Sequence, residues 1–226
     1  SLANATMPDV APDGKTVVFA RSPTLCIPPL CPNLSTDKAS LFTVPFNTVD
    51  GTFGSPTELV KSSGDNNYYP SISPDGKFVV FNRAAGDSYD AMDAKVMVVP
   101  MAGGTPIDLA AVNGIAGNSW PKWSPFVHRF KGKSVMWLTF SSRRPYGVRG
   151  GTSAQIWMVP VEINSLEKGM DAGYPPIRLP FQDLATGNHI AQWVEIVDRA
   201  PCSATDMSGC GPGERCTDGY CVPVIQ

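Results

Sequence analysis

One stretch of the chain decides the fold: Pro70-Ser71-Ile72-Ser73-Pro74-Asp75-Gly76-Lys77-Phe78-Val79-Val80-Phe81-Asn82-Arg83. Its centre, Pro-Asp-Gly-Lys, predicts a tight turn, because proline presets φ early in a turn and glycine accepts positive φ. The residues from Phe78 to Asn82 are rich in aromatic and β-branched side chains and predict a strand. Because Ser71-Ile72-Ser73 predicts another strand before the turn, the stretch indicates an antiparallel hairpin.

The same stretch recurs along the chain, with starts at Pro8, Pro70 and Pro121 that give repeats of 62 and 51 residues. The third copy is interrupted, since Ser124-Pro125 is followed by other residues than Asp-Gly, and we expect a longer loop to rebuild that turn. A fourth, degraded start lies at residues 188–193.

Two further signatures follow each hairpin in the same order. The first is a strand that ends at Pro45, Pro100 or Pro160, and the second is a segment that ends at Leu59, Leu109 or Leu179. Four short antiparallel strands in each repeat are typical of a β-propeller blade. A β-sandwich is the alternative, but it gives no reason for strand sequences to repeat.

The composition agrees with an all-β protein and excludes several classes of partner. Among 226 residues, 21 are glycine and 22 are proline, which favours short strands joined by turns over long helices. The 18 basic and 20 acidic residues give a net charge of -2, so we expect no nucleic-acid partner. No apolar run approaches the roughly 20 residues of a membrane span, so we expect none.

The repeat resembles that of TolB-like propellers, also called WD40-like (PD40) β-propeller repeats. The resemblance is carried by Pro-x-Ile-Ser-Pro-Asp-Gly-Lys-x-Val-Val-Phe at 70–81 and Gly-Gly-Thr-Pro-x-x-Leu at 103–109, and it covers about residues 4–197. It implies a secreted or periplasmic bacterial propeller that acts as a binding scaffold or as the non-catalytic half of a larger enzyme. No catalytic residue comes with the repeat.

We therefore expect two regions. Residues 1–199 predict a partial TolB-like propeller, with blades that start near 8, 70 and 121 and an extra strand near 190–197. Because propellers close with about four to eight blades, we expect the rest of the ring from a protein partner or from an upstream propeller segment. Residues 200–226 predict a small disulfide-rich C-terminal module.

Six cysteines fall into two groups. One pair lies in a proline-rich loop and four lie in the tail: Cys26 and Cys31, then Cys202, Cys210, Cys216 and Cys221. Zinc ligands usually stand two to four residues apart, whereas the tail gaps are seven, five and four residues. This spacing favours disulfides, and hence a periplasmic, cell-surface or extracellular location. The tail resembles short cysteine-rich modules of bacterial surface proteins, and of its three pairings we favour Cys202–Cys216 with Cys210–Cys221.

The sequence offers no catalytic constellation. Its two histidines, His128 and His189, accompany neither a G-x-S-x-G nor an H-E-x-x-H motif, and both partial P-loop matches lack a required glycine. We expect no catalytic residue and no obligatory cofactor. The best cluster of oxygen ligands is Asp87, Asp90 and Asp93, a candidate calcium site for which a solvated turn is the alternative.

Three arginines share one repeat position, just after the second strand: Arg21, Arg83 and Arg143. Either they bond to a neighbouring blade, or they form a positive face for an anion or a protein partner. We expect a non-catalytic binding or scaffold propeller of a cell-envelope or extracellular assembly. The alternatives are a substrate-filtering or docking portion of a larger enzyme, such as a peptidase or redox complex, and an ion- or sugar-binding module.

Overall fold

The computed structural model describes residues 2–27, 29–30, 35–88, 91–147, 153–194, 202–203, 205–211, 214–217 and 219–223. They belong to two compact units, residues 1–193 and 194–226. Among these residues, no helix is long and apolar enough to cross a membrane.

Seven short strands make up the first blade and its insertions. They are β1 (Ala5–Val10), β2 (Thr16–Arg21), β3 (Thr24–Cys26), β4 (Ser35–Asp37), β5 (Ser40–Asn47), β6 (Thr52–Phe53) and β7 (Thr57–Val60). β1, β2, β5 and β7 form the blade, with every pair antiparallel. β3 and β4 pair as a hairpin inserted between β2 and β5, and β6 pairs with the end of β5.

The second and third blades follow the same plan. Blade 2 comprises β8 (Asn66–Ile72), β9 (Phe78–Ala84), β10 (Lys95–Pro100) and β11 (Ile107–Asp108), and is followed by α1 (Ala110–Asn113). Blade 3 comprises β12 (Asn118–Phe130), β13 (Lys133–Ser142), β14 (Gln155–Glu162) and β15 (Ile177–Arg178), with α2 (Ile163–Glu167) before its last strand. Both sheets are antiparallel and four-stranded, so the predicted all-β propeller fold is confirmed.

The predicted hairpin turns form because each has a glycine in the left-handed region. Gly14, Gly76 and Gly132 have φ of 71°, 71° and 77°. The third turn lies at the tip of a longer hairpin, whose strands have 13 and 10 residues, as the interrupted repeat predicts.

The inner strand of each blade contains a bulge that the sequence did not indicate. Met7, Tyr69 and Trp120 occupy the same repeat position with φ of 54°, 49° and 53°, and the pairing register shifts at each of them. A left-handed conformation costs a non-glycine residue roughly 1–2 kcal/mol. Packing offsets part of this cost, since the Tyr69 and Trp120 rings stack with centroids 3.7 Å apart.

The core lies between successive blades. Side chains of blades 1 and 2 form one buried cluster, which includes Val18, Leu41, Val79 and Phe81. Side chains of blades 2 and 3 form a larger one, which extends to α1 and α2. The alternating side chains of each sheet therefore pack on the neighbouring blade.

The second unit contains an antiparallel hairpin, β16 (Glu214–Thr217) and β17 (Tyr220–Pro223). The structure has the favoured pairing, Cys202–Cys216 and Cys210–Cys221, with Cα atoms 5.8 and 5.2 Å apart. Cys31 and the side chain of Cys26 lie outside the described residues, so a disulfide between them stays a prediction.

Candidate functional site

The same backbone hydrogen bond marks the end of all three blades, where the chain passes on from each of them. Just before the third strand of each blade, the carbonyl of a buried alanine accepts the backbone N–H of an asparagine that follows the blade. The pairs are Asn67 with Ala39 (3.0 Å), Asn118 with Ala94 (3.0 Å) and Asn188 with Ala154 (2.7 Å). The degraded fourth start therefore lies where the inner strand of another blade would begin. Residues 190–194 form no strand, and residues 195–197 lie outside the described part, so the extra strand near 190–197 stays a prediction.

Trp193 lies on the side of blade 3 that is turned away from blade 2. It follows Asn188 by five residues, and its indole N–H donates to the Thr139 hydroxyl at 3.0 Å. In the same repeat position, Trp123 packs on blade 2 and Ile72 packs on blade 1. We call this side of blade 3, which carries Trp137, Thr139 and Met158, the outer face.

The outer face is less covered than the same face of blade 2. Trp137 pairs with Pro160 across the sheet as Phe78 pairs with Pro100, and Met158 is the counterpart of Val98. Phe78 is 3% exposed and Val98 is fully buried, because blade 3 packs on them. Trp137 and Met158 are only half-buried.

The long hairpin of blade 3 turns part of the outer face into a cavity of about 630 Å³, which we call the groove. Its floor and wall are apolar or aromatic, and are formed by Phe130, Val135, Trp137, Pro160 and Tyr174. Its rim carries basic side chains, namely His128, Arg129, Lys131 and Lys133. The groove thus combines an apolar floor with a basic rim.

One ion pair lies at the edge of the groove. Lys133 Nζ is 2.7 Å from Glu162 Oε2, to which the Tyr174 hydroxyl donates at 3.1 Å. The hydrogen bond from Lys133 lowers the pKa of Glu162, and the bond to Glu162 raises the pKa of Lys133. Within the described part of the chain, Arg129 and Lys131 form no ion pair. The groove is therefore positive, although the chain as a whole is negative.

The three predicted arginines do not share one position. Arg21 pairs with Ala5 as Arg83 pairs with Asn67, but the third repeat has Ser142 at this register, and Arg143 follows it. Ser142 follows Trp137 by five residues, as Arg83 follows its counterpart Phe78, so Arg143 lies one residue beyond the repeat position. Arg21 lies 3.8 Å over the Phe42 ring, and Arg83 donates to Asn67 Oδ1 at 2.9 Å. A positive face made of Arg21, Arg83 and Arg143 stays a prediction.

Arg144 has a structural role that the sequence did not reveal. It is 8% exposed, and it donates to the Val112 carbonyl and to Asn118 Oδ1 at 2.7 Å each. Burial lowers its pKa to about 10. The guanidinium fixes the loop before blade 3 to the end of β13, and nothing in the local sequence distinguishes it from a surface arginine.

The structure describes two of the three residues in the acidic cluster. Asp93 accepts the Ala85 N–H at 2.7 Å, and Asp90 lies outside the described residues. The Tyr68 hydroxyl is buried without a hydrogen-bond partner in the described part of the chain, and burial, Asp93 and Asp87 raise its pKa. Calcium at Asp87, Asp90 and Asp93 stays a prediction.

The sulfur atoms of Cys202, Cys210 and Cys221 lie within 4.8 Å of one another. They meet because the two disulfides are adjacent. Sulfur in a disulfide is not the thiolate that zinc binds, so this arrangement gives no support to the zinc alternative.

These blades and their connections define an all-β propeller fold. No protein-family model matches the chain, and no curated protein matches it. Similar solved structures include TolB from Acinetobacter baumannii, with 16% identity and a TM-score of 0.43 over 70% of this chain and 30% of that one.

A second similar structure, from Agrobacterium tumefaciens and also described as TolB, has 14% identity and a TM-score of 0.41 over 77% of this chain and 48% of that one. An acylaminoacyl peptidase has 12% identity and a TM-score of 0.38 over 78% of this chain and 25% of its own. The chain spans less than half the length of each of these three structures.

Proposed function

We propose that this protein is a non-catalytic binding propeller, and that the outer face of blade 3 docks a protein partner. The observation that carries the proposal is the contrast between repeat-equivalent residues. Phe78 and Val98 are buried by the next blade, whereas Trp137 and Met158 are half-buried.

The partner surface that fits best is another β-sheet. At both existing junctions, a face of this kind packs against the sheet of the next blade. Around Trp137, the face also exposes 62% of Phe130 and 39% of Tyr174. Clustered exposed apolar side chains mark interaction surfaces, because their removal from water is favourable.

The disulfides support a location outside the reducing cytosol. Cys202–Cys216 and Cys210–Cys221 persist where thiols are oxidised, as in the periplasm, at the cell surface or outside the cell. We place the docking function in such a compartment.

Site-specific photo-crosslinking tests the proposal. A benzophenone amino acid replaces Trp137 in the outer face and, as the control, Val49, which is 93% exposed in a turn of blade 1. In the source organism, we expect a discrete adduct from position 137 and none of the same mass from position 49.

The cross-linked partner is then purified and its affinity is measured. Trp137→Asp is expected to weaken binding at least tenfold, and circular dichroism checks that the variant keeps its β-sheet fold. Equal adducts from both positions, or equal affinity of the wild type and Trp137→Asp, overturns the proposal. A catalytic partner would instead identify the chain as the docking portion of a larger enzyme.

A further inference from the structure

We infer that the groove beside Trp137 binds a polypeptide segment in which an acidic residue adjoins an apolar one. This inference rests on the proposed function and specifies the chemistry of the partner. It comes from a junction within the same chain, where such a segment covers the equivalent surface.

At that junction, α2 of blade 3 reaches over the edge of blade 2. Leu166 and Glu167 line one cavity together with Lys77, Phe78 and Pro100. Leu166 is 1% exposed and belongs to the same buried cluster as Phe78. Glu167 Oε1 lies 2.7 Å from Lys77 Nζ. The covering blade thus contributes a leucine to an aromatic surface and a carboxylate to the neighbouring lysine.

The groove resembles the part of blade 2 that α2 covers. Trp137 and Pro160 face each other across β13 and β14 as Phe78 and Pro100 do across β9 and β10. Lys133 follows the turn glycine of its hairpin, as Lys77 does, but the longer hairpin places it four residues before Trp137, whereas Lys77 directly precedes Phe78. The apolar surface beside Leu166 in blade 2 therefore has a counterpart in blade 3, with a lysine further along the same hairpin.

The groove is more basic than its counterpart. Lys133 has a carboxylate partner in its own blade, Glu162. Arg129 and Lys131 lie on the same rim, and neither forms an ion pair within the described part of the chain. An acidic side chain bound in the groove would meet positive charge that no carboxylate of the described chain neutralises, and charge-assisted hydrogen bonds are stronger than neutral ones. Charge complementarity therefore favours an acidic occupant.

The occupant is a different polypeptide rather than a second copy presenting α2. Leu166 is buried inside its own molecule and Glu167 is bound to Lys77, so neither is available to a second copy. An acidic polysaccharide would satisfy the cations, but it offers no aliphatic side chain for the Trp137 and Val135 surface. A polypeptide with adjacent apolar and acidic residues satisfies both parts of the groove.

Nuclear magnetic resonance titration with a defined probe tests the inference. The probe is the acetylated peptide Asn-Ser-Leu-Glu-Glu-Gly, which is residues 164–169 of this chain with glutamate in place of Lys168. It is titrated into the full 226-residue protein up to millimolar concentration, where weak complexes are visible. Two matched peptides replace the glutamates by lysines or the leucine by alanine. We expect saturable shifts of the Trp137 indole and of the amides of residues 129–137, with at least fivefold weaker binding of both matched peptides.

Charge variants provide the second readout. Arg129→Glu with Lys131→Glu is expected to weaken peptide binding at least tenfold. The control, Lys15→Glu with Lys61→Glu, makes the same change in net charge at exposed lysines of blade 1 and should leave binding unchanged. Added salt should weaken binding to the wild type, because these charges are screened.

Several results overturn the inference. They are no shift at Trp137, equal binding of the alanine peptide, equal losses from both charge variants, and tighter binding of heparin than of the peptide at the same residues. The proposed function fails separately, through the cross-linking and Trp137→Asp measurements. A partner that needs Trp137 but tolerates both rim substitutions overturns the inference alone.

Discussion

Asp9 accepts a hydrogen bond from the ammonium group of Lys122 at 3.0 Å, which joins the inner strands of the first and third blades. The other carboxylate oxygen accepts the backbone N–H of Ile72, in the second blade, at 2.7 Å. A single side chain thus connects all three blades, and its two bonds differ in setting. Ile72 is 5% exposed, whereas the Lys122 side chain is 41% exposed.

Asp9→Ala is therefore expected to destabilise the protein more than Lys122→Met. Loss of the carboxylate leaves the N–H of Ile72 without an acceptor, which lowers the free energy of unfolding by about 1–3 kcal/mol. Lys122→Met removes a partly exposed ion pair, worth about 0–1 kcal/mol. Urea unfolding measures both, and Asp9→Asn, which keeps an acceptor oxygen, should fall between them. Equal losses from Asp9→Ala and Lys122→Met would contradict the assignment.

Asn82 joins blades 2 and 3 through a buried amide. Its side-chain nitrogen donates to the carbonyls of Lys95 (3.1 Å) and Asn118 (2.8 Å), and its oxygen accepts the Trp120 N–H (3.0 Å). Asn82→Ala leaves all three backbone groups without this partner, and we expect a loss of about 2–4 kcal/mol in the free energy of unfolding. Asn164→Ala, at an exposed position of α2, is the control and should cost less than about 0.5 kcal/mol. Similar losses in chemical denaturation of the two variants would contradict the role of Asn82.

The blade plan was predictable because it depends on local chemistry. The Pro-Asp-Gly-Lys turns depend on glycine at positive φ, and each strand depends on its own run of β-branched and aromatic residues. The recurrence of this stretch in the sequence then indicated that the same hairpin occurs three times in the chain. The bulge at Met7, Tyr69 and Trp120 was not predictable from local sequence. It is fixed by pairing with the second strand and not by residue type.

The candidate site depends on register and on distant segments, which the sequence did not reveal. The pairing with the inner strand places Ser142, rather than Arg143, at the position of Arg83. The longer hairpin of blade 3 brings Arg129 and Lys131 to the surface of Trp137. Each residue was visible in the sequence, but their convergence follows from the length of the hairpin.

The ion pair between Glu162 and Lys133 predicts a change of stability with pH. The pKa of Glu162 in the folded protein lies below its ordinary value of 4.5, because Lys133 and Tyr174 donate to its carboxylate. Its stabilising contribution is thus present above the ordinary value and is lost as the pH falls through the lowered pKa. Glu162→Gln should flatten the fall in melting temperature between about pH 5 and pH 3.

Calorimetry over this range checks the prediction, with Lys133→Met as the matched variant. Lys133→Met removes the main donor, so it should flatten the same part of the profile while Glu162 is retained. A profile that is unchanged in both variants shows that this pair does not contribute to the acid sensitivity.

The second unit depends on two disulfides whose loops interleave in sequence. Cys202–Cys216 and Cys210–Cys221 have separations of 14 and 11 residues, and they hold the hairpin of β16 and β17. A two-stranded hairpin alone is marginally stable in water, and closure of a loop of this size contributes about 3 kcal/mol. We expect reduction to abolish amide protection in residues 214–223, and replacement of the four tail cysteines by serine to do the same while leaving the melting of residues 1–193 unchanged.

Peptide mapping without reduction checks the pairing itself. Trypsin cleaves after Arg215, and the protease Asp-N cleaves before Asp206 and Asp218, so each of the four tail cysteines falls in its own peptide. We expect two linked species, one that joins the Cys202 and Cys216 peptides and one that joins the Cys210 and Cys221 peptides. Links from Cys202 to Cys210 or Cys221 would contradict the pairing. Protection that survives reduction would instead show that the hairpin is stable without its cross-links.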